Sequence, residues 1–170
     1  MLVNLLFNPN FFSTVSHFYV LHLNNLLDEF CIMLLPAEIE SKSMIPALRA
    51  ILSKWLSQKY HIHEDEISKM LGVTQAAVSN YIRGTRGDPK LIEKLLEEKQ
   101  VNEMLTEICE DLSSDKAYTP SSLSKFIGLC NYIKSSLLIC DIHHNLESNI
   151  DDEVCKECEN MLLKGPGSVF

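Results

Sequence analysis

The stretch Glu66–Gly84, EISKMLGVTQAAVSNYIRG, sets the reading of the whole chain. Ile67 and Leu71 are four residues apart and fall on one face of a helix. Ser68 is the small residue where two helices come close. Gly72 ends the first helix, because glycine takes a positive φ at little cost. Val73 is the apolar plug of the turn, and Thr74 is a good N-cap for a second helix. Within that helix Val78 and either Tyr81 or Ile82 point back toward the first, and Gly84 closes it. Gln75, Ala76, Ser79, Asn80 and Arg83 then face outward. The layout is a helix-turn-helix. Its outer face has the chemistry of a base reader: Gln and Asn can bond adenine bidentately, Arg pairs with guanine or phosphate, and Ala tolerates a thymine methyl. The expected partner is double-stranded DNA. Gln75, Ala76, Ser79 and Asn80 are expected at base edges, with Thr74, Arg83 and Arg86 at phosphates. An ordinary helical hairpin with a polar outer face is the competing reading.

Charge sharpens that expectation. The 170 residues carry 15 Lys and Arg against 23 Asp and Glu, a net charge of −8. Residues 1–32 contribute −2, residues 33–100 contribute +1, and residues 101–170 contribute −7. Whole-chain charge repels a polyanion, so binding to DNA has to rest on a local patch. Lys69, Arg83, Arg86 and Lys90 are the candidates for phosphate contact.

Residues 1–32, MLVNLLFNPNFFSTVSHFYVLHLNNLLDEFCI, contain no Lys or Arg. A secretory signal wants a basic start and an unbroken apolar core, and this stretch has neither. A membrane span needs roughly 18–20 continuous apolar residues, and Asn8, Asn10, His17 and His22 interrupt every run. Ordinary globular composition begins at Met33. The expectation is that translation starts there and that 1–32 is a mis-called extension, with a disordered or partner-binding arm as the alternative.

Downstream the pattern is helical throughout, so the expected fold class is all-α. Pro36 can open a helix. Ile45, Leu48, Ile51, Leu52, Trp55 and Leu56 give Met44–Tyr60 a three-and-four spacing. His61 and His63 read as a polar turn. Asp88-Pro89 is a cap followed by proline at the first helical turn. A long helix is expected over Lys90–Leu112 and another over Pro120–Ile139, together offering a surface for a homodimer. The expected organisation is an extension at 1–32, a DNA-binding domain at 33–100, a helical dimerisation segment at 101–139 and a Cys-rich tail at 140–170.

That tail holds the second informative feature. Of six cysteines, four fall in the last 41 residues: Cys130, Cys140, Cys155 and Cys158. Cys155 and Cys158 form a CxxC, a spacing that lets two thiolates reach one metal. Cys140 and His143 repeat the spacing across a connecting loop, 141–153, without strong apolar periodicity. Three readings compete. One is a metal or iron–sulfur centre on Cys130, Cys140, Cys155 and Cys158. Another is zinc with His143 or His144 replacing a thiolate. The third is plain buried or free thiols in a reducing cytosol. Cys109 reads as a helix core residue. A dithiol redox enzyme normally sets its CxxC between a strand and a helix, and no strand pattern precedes Cys155. No paired-carboxylate site, phosphate loop or Ser/His/Asp set is recognisable, so the expectation is a non-enzyme. A helical adaptor that binds protein is a further alternative.

The helix-turn-helix resembles the lambda-repressor-like family in Thr74-Gln75, Val78-Ser79, Tyr81 and Arg83-Gly84. Glu64 stands where members often carry Gln. From Met33 to Cys158 the chain resembles small archaeal predicted transcriptional regulators with an N-terminal helix-turn-helix and a cysteine-bearing C-terminal part. The residues behind this are Leu34-Leu35-Pro36-Ala37-Glu38-Ile39, the helix-turn-helix and the four late cysteines. The resemblance implies a cytoplasmic DNA-binding regulator that begins near Met33.

Overall fold

Pro36 opens the first helix of the described residues. The computed structural model describes residues 34–115, 119–146 and 150–164. The expectations for 1–32 lie outside the described residues. Among the described residues every regular element is a helix, so the fold is all-α.

The first helix, α1, is Pro36–Ile39. Its start is held by the Glu38 carboxylate, which accepts from the Leu35 N–H at 3.1 Å. A π-helical turn, Glu40–Met44, joins it to α2, Ile45–Gln58. Pro46 accounts for that turn. Its ring lacks an N–H and would clash with a carbonyl four residues back, so the backbone widens locally instead of breaking. Two short helices follow, α3 (Glu64–Leu71) and α4 (Gln75–Ile82), then α5, Pro89–Glu97. Asp88 caps α5 by accepting from the N–H groups of Lys90 and Leu91 at 2.9 and 3.3 Å, with Pro89 at the first position.

The single helix expected over 90–112 is two helices. α5 ends at Glu97, Glu98 is extended, and α6 runs Lys99–Asp115. Glu97, Glu98, Lys99 and Gln100 offer no apolar side chain, so burial does not hold the helix straight there. The Asn102 amide then donates to the carbonyls of Leu96 and Glu98 and satisfies the exposed end of α5. The helix expected over 120–139 likewise stops early. α7 is Pro120–Ser135, and Leu137 takes a left-handed turn with φ of 58°. That turn swings Ile139 and Ile142 onto the core and leads into α8, Cys140–Leu146. The last helix, α9, is Asp152–Lys164. Residues 141–153, read from sequence as a poorly packed connection, thus include most of α8, anchored by Ile142 against the core.

One apolar cluster takes residues from α1 through α8. Ile39, Leu48, Leu52, Leu56, Ile67, Val78, Leu91 and Leu95 belong to it, and so do Val101, Leu105, Ile108, Leu112, Leu129 and Ile133. The core takes residues from both sides of position 100. Leu105, Ile108, Leu112 and Ile133, apolar markers of the expected dimer surface, are buried within the chain. On α7 it is Leu123 and Ile127 that remain exposed, at 37% and 50%. Polar ties reinforce the seam. Lys134 pairs with Glu40 at 3.0 Å, Lys125 with Asp111 at 2.9 Å, and the Tyr132 hydroxyl donates to Glu98 at 3.1 Å.

Of the three positive-φ glycines among the described residues, Gly72 and Gly87 differ in what surrounds them. Gly72, at φ 61°, has open space where a Cβ would go. Gly87, at φ 96°, would place a Cβ 3.1 Å from that of Ala50 and 3.2 Å from Ile92 Cδ1. Gly72→Ala is expected to cost about 1 kcal/mol from backbone strain alone. Gly87→Ala adds crowding against α2 and is expected to cost about 2–4 kcal/mol. Urea unfolding midpoints check both. Equal costs would mean that the Ala50 contact yields freely.

Candidate nucleic-acid interface

The α3–α4 pair is built from its ends inward. Glu64, Asp65 and Glu66 occupy the first turn of α3, where carboxylates favour the positive end of the helix. Ser68 is buried and its hydroxyl donates to the Asp65 carbonyl at 2.7 Å, which hides a polar group at the close approach. Gly72 is left-handed, and the Val73 N–H folds back to the Ser68 carbonyl at 3.0 Å. Thr74 is extended, and its hydroxyl accepts from the Ala77 N–H at 3.2 Å. These bonds fix the angle between the helices with few residues.

Packing then sorts the faces of α4. Ala77, Val78 and Tyr81 are buried, with Ala77 and Tyr81 clustering against Ala50 of α2. Of the two aromatic or aliphatic side chains that could face inward, Tyr81 is the fully buried one and Ile82 is half-buried. Thr74, Gln75, Ala76, Arg83 and Arg86 are exposed, and Ser79 and Asn80 are half-buried. By helical spacing Gln75, Ala76, Ser79, Asn80 and Arg83 lie opposite the buried Ala77, Val78 and Tyr81, while Thr74 precedes α4 and Arg86 follows it in the next loop.

Asn80, Arg83 and Arg86 are less available than the sequence suggests. The Asn80 side-chain oxygen accepts from Arg83 Nη2 at 2.8 Å and from the Thr85 hydroxyl at 3.3 Å. The Thr85 hydroxyl also donates to the Asn80 carbonyl at 3.1 Å. Asn80 thus closes the end of α4 and keeps its amide nitrogen for other partners. Arg86 lies over the Tyr81 ring, its guanidinium carbon 5.1 Å from the centroid. Thr85 escaped the sequence reading, because a role as second cap to Asn80 depends on how the loop folds back. Lys69 pairs with Asp65 at 2.7 Å, and this contact holds the lysine above its usual range. Both side chains are well exposed, so the pair is weak and can be exchanged for another anion.

Comparison of the chain with protein families, with curated proteins and with solved structures yields no match.

The cysteines fall into two environments. Cys109 and Cys130 are core residues, and burial pushes their thiols up to about 12 and about 11. Cys140 begins α8 and is half-buried. Cys155 and Cys158 sit one turn apart on α9, also half-buried. Cys155 Sγ lies 3.3 Å from His144 Nε2 and donates to Glu159 at 3.9 Å. Burial, then the neighbouring acids Glu159 and Asp152, raise the Cys155 thiol, and burial with Cys155 and Glu159 raises Cys158. A nucleophilic dithiol needs the opposite shift. Among the described residues no group of three or more His, Cys, Asp or Glu is placed to hold a metal. The four cysteines read as one ligand set are not brought together: Cys130 stays in the core while Cys155 approaches His144.

Thiol labelling checks the two environments. A thiol at about 11 holds on the order of 0.1% thiolate at pH 8. Cys109 and Cys130 should therefore stay unlabelled by iodoacetamide in the native protein at pH 8, while Cys155 and Cys158 react. Mass mapping of labelled peptides reads the order, and prompt labelling of Cys130 would contradict its placement in the core.

Proposed function

We propose that this chain is a sequence-specific DNA-binding regulator of the lambda-repressor-like kind, with α4 as the helix that enters the major groove. The observation that carries the reading is the sorting of α4. Its apolar residues lock onto α2, while Gln75 and Ala76, with Ser79 and Asn80 beside them, are left on the open edge. Gln75 is the freest base reader of the four: it is exposed and is the only glutamine on that edge. Asn80, its oxygen held by Arg83 and Thr85, offers a donor more readily than a bidentate pair. Thr74, Arg83 and Arg86 serve phosphates. Because α4 is short, useful affinity needs two copies on half-sites about 34–36 Å apart. The exposed strip of Leu123 and Ile127 on α7 is the surface proposed to join the copies.

A companion proposal concerns the cysteine tail. The 3.3 Å contact of Cys155 with His144 favours zinc with an imidazole ligand over an all-thiolate iron–sulfur cluster. Binding would require the described donors to close in further, with Cys158 and Cys140 following. Such a centre would be structural, or would sense metal or redox state through the tail. Elemental analysis and the visible spectrum of anaerobically purified protein test this: one zinc and no colour is expected, brown protein with iron and sulfide favours the cluster, and neither metal rejects both.

Binding to duplexes selected from a random pool tests the main reading. Affinity should fall steeply with salt, with a log–log slope of about −0.9 per phosphate contacted. Gln75→Ala should cost about 1–3 kcal/mol and relax the choice at one base pair, whereas Arg83→Ala should weaken all sequences alike and flatten the salt slope by about 1. Failure to select any duplex would reject the reading.

A further inference from the structure

A cavity of about 420 Å³ opens between α2, the end of α3, α6 and the first turns of α7. That volume falls within the roughly 300–1,000 Å³ typical of small-molecule sites. Leu52, Ile108, Leu112 and Phe126 give it apolar walls. Two cations, Arg49 and Lys69, line it as well, and no carboxylate does among the described residues. Ser122 also borders it, but its hydroxyl is engaged with Thr119 at the start of α7.

The two cations differ in kind. Lys69 already has Asp65 at 2.7 Å on the outer surface. Arg49 is half-buried, and among the described residues its guanidinium makes no hydrogen bond or ion pair. A guanidinium partly withdrawn from water without an anion is held at a cost. A ligand carboxylate would satisfy it through two parallel hydrogen bonds. One unpaired charge beside an apolar chamber matches a ligand with one negative charge and an apolar body. A multiply charged phosphate would have to reach Lys69 on the outer surface for a second cation and would leave the apolar walls unused.

We propose that this cavity binds an apolar monocarboxylate, with its carboxylate on Arg49 and its hydrocarbon part among Leu52, Ile108, Leu112 and Phe126. Met70 and Gly72 line the same space, so an occupant braces the end of α3 and the turn that leads into α4. The site itself does not depend on the DNA-binding reading. If that reading holds, the ligand sits against the joint that presents α4, as an effector would.

Calorimetry on the full chain tests the site with n-alkanoates from octanoate to dodecanoate, below their micellar concentrations, against the matching primary alcohols. The expected result is saturable one-site binding with an optimum chain length. The alcohols should bind about 10- to 100-fold more weakly, the loss of one charge-assisted contact. Arg49→Gln should erase that difference, and Phe126→Ala, which removes an apolar wall, should weaken acid and alcohol alike. Amide exchange at Gly72 and Val73 should slow when the acid binds. Absence of saturable binding, equal binding of acid and alcohol to the wild-type chain, or full acid affinity in a folded Arg49→Gln protein would each overturn the proposal. The acid–alcohol comparison needs no variant, so it decides the matter even if a substitution unfolds the protein. No readout uses DNA, so failure here is separate from failure of the regulator reading.

Discussion

Burial of α2 on several sides at once is the constraint from which the rest of the structure follows. Ala47, Leu48, Ala50, Ile51, Leu52, Ser53 and Leu56 are all buried, and the helix touches α3, α4, α5 and α6. A helix hemmed in this way cannot have a single apolar stripe. It uses large side chains where the gaps are wide and alanines where backbones approach. Ala50 is the clearest case, with α4 packed on it through Ala77 and Tyr81 and the Gly87 loop pressed close from another side. The orientation of α4 is therefore fixed from behind, by a small residue on α2, as much as by its own turn.

The same dependence explains why the C-terminal helices belong to the core. A pair of helices as short as α3 and α4, eight residues each, buries too little apolar surface to stand alone. α6 and α7 supply Leu105, Ile108, Leu112, Leu129 and Ile133, and the polar ties of Lys134 to Glu40 and Tyr132 to Glu98 hold them in register. What lies between α7 and the end of α3 is a partly open chamber rather than a sealed seam, and Arg49 faces it without a counter-charge among the described residues. The fold thus joins the proposed reading helix and the proposed ligand cavity through α3 and the Gly72 turn.

The cysteines show how one residue type can divide between roles by position alone. Cys109 and Cys130 act as small apolar residues with their protons firmly held. Cys155 and Cys158 lie on a helix with acidic neighbours, beside His144. Cys130 stands apart from the other three late cysteines because it falls on the buried face of α7, next to Leu129 and one turn from Ile133. The three-and-four spacing of those residues was visible in the sequence, but a thiol fits an apolar stripe and a ligand set equally well.

Local chemistry was legible in the residues alone. The left-handed stop at Gly72, the Thr74 cap, the inward Val78, the Asp88-Pro89 start and the all-helical pattern follow from short-range rules about φ, hydrogen-bond donors and helical periodicity. Long-range packing fixed which of Tyr81 and Ile82 goes fully inside, where 90–112 breaks, how Leu137 turns α8 onto the core, and that Asn80 is held by Arg83 and Thr85. Each of these depends on the space left by a distant element or on a loop folding back. Periodicity along one helix records that a side chain is apolar, not which neighbour will leave room for it.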